Sequence, residues 1–197
     1  MLLKNRNEVI LDLDEQDGMR KYPILIACYN NNIKTIKFLL NYANERYISL
    51  DLNGKDEDGY NPINVACNNN NIDIVRLLME YAEQEEQDDD NIILDLNEKN
   101  NEGKYPILIA CYKNNIEMLQ LLLSFADKHN IILGLYEKDN EGNSPILIAC
   151  CKNNTEMLQL LLNFADKHNI ILELNEKDTE GKSLLFWACH NSNSKSV

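Results

Sequence analysis

The sequence predicts an all-α fold: a solenoid of stacked helix–turn–helix units joined by extended loops. Three observations carry this. The hexapeptide PILIAC stands at 23–28, 106–111 and 145–150, with PINVAC at 62–67, and these four copies hold all four prolines of the chain. Successive prolines lie 39, 44 and 39 residues apart, so the copies keep phase. Residues 98–136 and 137–175 align without a gap, with 31 of 39 positions identical. The chain therefore reads as one array: a partial unit at 1–16, repeats at about 17–56, 57–100, 101–139 and 140–178, and a partial unit at 179–197.

Each unit resolves into the same elements. Proline opens the first helix, where its missing N–H has no partner to lose. The five residues after Pro106, Ile107 to Cys111, are apolar on nearly every side, which predicts a helix buried between neighbours. A pair of asparagines follows in each unit (Asn31-Asn32, Asn70-Asn71, Asn114-Asn115, Asn153-Asn154), suited to a tight turn because asparagine tolerates left-handed backbone. The second helix carries Ile116, Leu119, Leu122, Leu123 and Ala126 at 3–4 spacing, a stripe that packs on the first helix, while Glu117 and Gln120 face water. It runs through Phe125 and ends near Asn130, with Asn169 equivalent in the next unit; an aromatic residue resists positive φ and asparagine accepts it. A loop of loose alternation then leads to the next turn. One helical pair cannot bury both sides of its first helix, so the units must stack.

Composition narrows the function. With 44% hydrophobic residues the chain can pack a core. Its 32 acidic and 19 basic residues give a net charge of −13, which opposes binding to nucleic acid or an anionic membrane and favours a basic partner surface. No apolar run reaches the ~18–20 residues that span a bilayer. The N-terminal stretch MLLKNRNEVI lacks a leader's apolar core and cleavage site. An intracellular, cytoplasmic protein is expected, with the nucleus an alternative. Of the six cysteines, Cys28, Cys67, Cys111, Cys150 and Cys189 recur at one repeat position and read as buried apolar filler; Cys151 stands apart from that series.

At 141–166, EGNSPILIACCKNNTEMLQLLLNFAD, the chain resembles the ankyrin repeat family, and the likeness spans almost its whole length. The family's turn glycine is matched by Gly18, Gly59, Gly103, Gly142 and Gly181. Its T-P-L-H-x-A is replaced by Pro-Ile-Leu-Ile-Ala-Cys behind Tyr22, Asn61, Tyr105 or Ser144, so only the Asn and Ser copies keep a good N-cap. The family's histidine becomes Leu25, Asn64, Leu108 and Leu147. The period of 39 exceeds the family's 33, which the longer second helix explains. A HEAT-type array has a nearer period but does not account for the E-G-x-x-P turn or the short first helix.

Nothing in the sequence reads as catalytic. The phosphate-loop, dinucleotide and H-E-x-x-H patterns are missing, and no cofactor or metal is implied. His129 and His168 occupy one repeat position, two residues after Asp127 and Asp166, and read as solvated duplicates. Trp187 reads as core or interface filler. The run EYAEQEEQDDDN at 80–91 reads as a solvated acidic insertion.

Function then falls to surface. The family resemblance implies a protein–protein interaction module that binds a partner through its turn tips and the concave side of the first helices. Carried over by position, the binding residues are Glu57, Asp58, Tyr60, Asn68 and Asn69; Asn101, Glu102, Lys104, Tyr112 and Lys113; and Asn140, Glu141, Asn143, Cys151 and Lys152. Tyr60 and Tyr112 are the expected anchors, standing exposed. The alternative is a substrate-targeting or adaptor piece of a larger protein whose active domain lies outside this chain. The last unit stops at HNSNSKSV without a second helix, so Leu184, Leu185, Phe186 and Trp187 are expected to be partly exposed and to offer a self-association surface.

Overall fold

A computed structural model describes residues 11–85, 94–171, 177–178 and 180–193. Residues 1–10 of the expected first partial unit and 86–91 of the acidic run lie outside the described residues, as do 194–197. Four helical hairpins follow one another: α1 (Pro23–Tyr29) with α2 (Ile33–Arg46), α3 (Pro62–Asn68) with α4 (Ile72–Glu85), α5 (Pro106–Lys113) with α6 (Ile116–Lys128), and α7 (Pro145–Cys151) with α8 (Thr155–Lys167). A final helix, α9 (Leu184–Asn193), packs on α7. The first helices α1, α3, α5, α7 and α9 stack in one layer, and the second helices α2, α4, α6 and α8 in another. Among the described residues there is no strand, and no helix is long and apolar enough to cross a membrane.

The core is the seam between these layers. Ile107, Leu108, Ala110 and Cys111 of α5 and Met118, Leu119, Leu122 and Ala126 of α6 are all sealed from water. Cys28, Cys67 and Cys111 are buried in it as expected, but Cys150 is only half-buried and Cys189 is exposed. Likewise Leu184 is buried against α7, while Leu185 and Phe186 are exposed and Trp187 is half-buried.

The asparagine pair has two duties. Asn31, Asn70, Asn114 and Asn153 adopt left-handed φ of 51–57° in the turn. The second asparagine caps the second helix: Asn115 Oδ1 accepts from Met118 N at 2.9 Å and Asn154 Oδ1 from Met157 N at 3.0 Å. Its amide also reaches back one repeat. Asn71 Nδ2 donates to Asn31 Oδ1 (3.2 Å), Asn115 Nδ2 to Asn70 Oδ1 (2.7 Å) and Asn154 Nδ2 to Asn114 Oδ1 (2.9 Å). At the other end of the second helix Asn130 and Asn169 take φ of 54°, as their sequence position requires. Tyr47 holds the same place with φ 55°.

At the head of the first helix, Asn61 and Ser144 cap through their side chains and Tyr22 and Tyr105 do not. The tyrosines are buried instead, and their hydroxyls tie down the following loop. Tyr22 donates to Gly54 O at 2.9 Å; Tyr105 bonds Glu137 O at 2.8 Å and also Gly134 O. At the position where the other three repeats carry leucine, Asn64 makes a polar tie, donating to Glu98 O at 2.9 Å.

One glycine is corrected. Gly59, Gly103, Gly142 and Gly181 sit in the turn with φ of 77–79°, but in the first repeat the left-handed residue is Arg20 (φ 59°), two positions after Gly18. Counting back from proline rather than forward from the acidic stretch puts Arg20, not Gly18, in the turn.

Candidate partner-binding face

The turns and the ends of the first helices form one edge of the stack, and they are laced together across repeats. Asn101 N donates to Asp58 O (3.0 Å) and Asn140 N to Glu102 O (3.0 Å). The asparagine amides add Asn101 Nδ2 to Glu57 O and Asn140 Nδ2 to Asn101 O, both at 2.8 Å. Inside each turn a carboxylate or amide organises the backbone: Asp139 Oδ1 accepts from Glu141 N (3.0 Å) and Asn143 N (2.9 Å). Behind the tips runs a lysine ladder, with Lys55 Nζ on Lys99 O (3.0 Å), Lys99 Nζ on Lys138 O (3.2 Å) and Lys138 Nζ on Lys177 O (3.0 Å). Its signal was present in the sequence as the recurring Glu-Lys pairs 98–99, 137–138 and 176–177.

Of the residues expected to meet a partner, Glu57, Asp58, Asn68, Asn101, Glu102, Lys113, Asn140, Glu141 and Lys152 are exposed, and Tyr60, Asn69, Lys104, Tyr112, Asn143 and Cys151 are half-buried. The expectation of exposed tyrosine anchors is therefore corrected. Tyr112 donates its hydroxyl to Asp139 Oδ2 of the next repeat at 2.6 Å and accepts from Asn143 Nδ2 at 2.8 Å, with Lys104 Nζ 5.1 Å from its ring centre. Burial, and then the Asp139 carboxylate, push its phenol pKa up. Tyr29, which the carried-over positions missed, makes the same bridge to Asp56 Oδ2 at 2.6 Å and packs edge-on against Tyr60. Asn69 is a strut too, donating to Cys28 O at 3.0 Å. In the fourth repeat Cys151 replaces the tyrosine, and Asp178 takes its hydrogen bond from Trp187 Nε1 at 3.0 Å. Tyr112→Phe leaves the buried Asp139 Oδ2 without that donor and should cost about 1–3 kcal/mol in a urea melt, the range for an orphaned buried acceptor. A loss under about 0.5 kcal/mol would return Tyr112 to the free surface.

A second correction concerns the histidines. They are not solvated duplicates: their side chains are 11% and 13% exposed, and each clamps the preceding repeat. His129 Nε2 lies 3.2 Å from Glu83 Oε1, and His168 Nε2 lies 2.6 Å from Asp127 Oδ1. Phe125 and Phe164, one helical turn earlier, pack on these rings with centroids 4.3 and 4.2 Å apart. Lys128 and Lys167 pair with the same two carboxylates at 2.8 and 3.0 Å. The Lys128 and His129 bonds hold the Glu83 carboxyl below the usual range; burial raises Asp127, but the His168 and Lys167 bonds win and hold it low as well. Asn44 Nδ2 on Gln84 Oε1 (3.1 Å) is the uncharged rung of this ladder one repeat earlier.

Chemically, what the described residues of this face offer is ties between repeats. Among the described residues no three histidine, cysteine or acidic groups gather as a metal site. Burial pushes the Cys28 thiol up to about 12 and the Cys151 thiol up to about 11, so neither is an activated nucleophile.

Comparison with known proteins bears on the whole chain. A family model described as ankyrin repeats, in three copies, matches residues 1–90, 90–171 and 128–197. Among solved structures, an ankyrin repeat domain from Acinetobacter baumannii AYE is 18% identical, with a TM-score of 0.68 over 93% of this chain and 81% of that one. A second ankyrin repeat protein is 19% identical, with a TM-score of 0.68 over 95% of this chain and 83% of that one. No curated protein matches the sequence.

Proposed function

This chain belongs to the ankyrin repeat family, and from that premise we propose that it is a non-catalytic module that grips a partner protein along its turn tips and the inner face of its first helices. One observation supports this face above the others. The backbone bonding of the turns repeats from unit to unit, yet the side chains along it change: half-buried Tyr60, Lys104 and Asn143 follow one turn glycine after another, and exposed Asn68 gives way to half-buried Tyr112 and Cys151 after Ala-Cys. A constant frame with changing side chains is how repeat proteins build recognition. The exposed carboxylates Glu57, Asp58 and Glu141 at the tips favour basic groups on the partner there. All six cysteines are free, which suits a reducing, intracellular compartment.

Affinity capture from the native cell tests this. Asp58→Lys with Glu141→Lys should lose the captured protein, whereas Glu117→Lys with Glu156→Lys, on the second helices, should retain it. Loss by the second pair with retention by the first would place binding on the opposite face.

A further inference from the structure

We propose that the inner face of the third and fourth repeats binds an extended acidic segment of a partner, in polyproline-II conformation with carboxylates three residues apart. The inference rests on the inner-face reading above and names the ligand chemistry for half of it. Lys113 and Lys152 occupy the same position, at the ends of α5 and α7, and both are exposed. Neither has an ion-pair partner among the described residues, whereas the neighbouring Lys104 and Lys182 are already paired with the tip carboxylates Glu102 and Glu180. In the first two repeats the equivalent residues are Asn30 and Asn69. At the end of the first helix, a chain of net charge −13 thus presents two uncommitted ammonium groups, one repeat apart, on the third and fourth repeats and not on the first two.

The spacing selects the ligand's conformation. Helices packed side by side lie about 8–10 Å apart, and the two lysines are offset by one such step. In a polyproline-II helix residues i and i+3 share a face and lie about 9 Å apart. In a β-strand they point to opposite faces, so a carboxylate at i+3 would miss. Next to Lys113 in the chain stands Tyr112, its ring fixed by the hydroxyl's bonds to Asp139 and Asn143 of the following repeat. A fixed aromatic ring is the surface on which proline-rich segments pack. The molecule's overall negative charge repels such a ligand at long range. At about 0.15 M salt charges beyond roughly 8 Å are screened; closer in, Asp139 is already tied to Tyr112, and the lysine pair has to outweigh the tip carboxylate Glu141.

The test uses two labelled peptides, (Glu-Pro-Pro)4 and (Lys-Pro-Pro)4, titrated against the full chain by fluorescence anisotropy in 0.15 M salt. The acidic peptide should bind at least about tenfold more tightly than the basic one, and Lys113→Glu with Lys152→Glu should weaken it by at least about tenfold. Thermal melts of that variant should match the parent, since both sites are exposed. Tighter binding of the basic peptide, no measurable binding of the acidic one, or affinity unchanged in the double variant would each overturn the proposal. Were the captured partner still lost with the tip variants, only the acidic ligand would fall and the interaction face would stand.

Discussion

Leu122→Ala should lower the unfolding free energy by about 2–5 kcal/mol, read from urea melts as a drop in midpoint with an unchanged slope. Leu122 is completely sealed from water on α6, flanked on its own helix by Met118, Leu119 and Ala126, which are equally sealed. The cost has two parts: the side chain's transfer from water is lost, and the cavity collapses only partly, because both its own hairpin and the adjoining ones frame it. Glu117, five residues earlier on the water-facing side, supplies the contrast. Glu117→Ala should stay within about 0.5 kcal/mol. Similar losses from both would mean the assigned inside and outside of the second helix are exchanged.

Gly103→Ala should be strongly destabilising for a single-methyl insertion. Gly103 has φ +77°, where a side chain costs about 1–2 kcal/mol. A Cβ there would also lie 2.9 Å from Asp139 Cα and 3.0 Å from Asn140 N, backbone atoms of the next repeat that cannot step aside singly. Gly181 has nearly the same φ, +79°, with nothing within 4 Å of such a Cβ. The pair therefore separates conformation from contact: Gly181→Ala should lose only the conformational part, and Gly103→Ala should lose more than Gly181→Ala by at least about 1 kcal/mol. Equal losses would show that the turns of successive repeats do not touch as described.

What the sequence discloses and what it hides divide along physical lines. Local rules were readable. Pro106 at a helix start, Phe125 forbidding an early glycine-like stop and Asn130 closing the helix each follow from one residue's backbone preferences, and each stands where the pattern put it. Bonds between repeats were not readable, because they depend on which side chain of one unit faces which of the next. The asparagine pair was legible as a turn, but the amide rung from Asn115 to Asn70 was not. The same blindness turned His168, clamped on Asp127, into a solvated residue and Tyr112, bridged to Asp139, into an exposed anchor. Gly18 misled for another reason: a glycine near the right place outweighed the count to Pro23, and arginine in left-handed backbone is a choice that propensity disfavours. Of the expected partner-binding set, exposure favours the acidic tips and the two lysines, and bonding claims Tyr112, Asn69 and Asn101 at least in part for the frame.

A stack of repeats sets equivalent residues at equal intervals along one axis. Lys34, Asp73, Glu117 and Glu156 are the second residues of α2, α4, α6 and α8, and all are exposed. Spin labels placed pairwise at Asp73 and Glu156, and at Lys34 and Glu156, would measure the interval by pulsed dipolar spectroscopy. Stacked units predict about 16–20 Å for the two-step pair and about 24–30 Å for the three-step pair, one interhelical distance per step. A three-step distance equal to or shorter than the two-step one would mean that the repeats close upon themselves, and a continuous inner face would not exist.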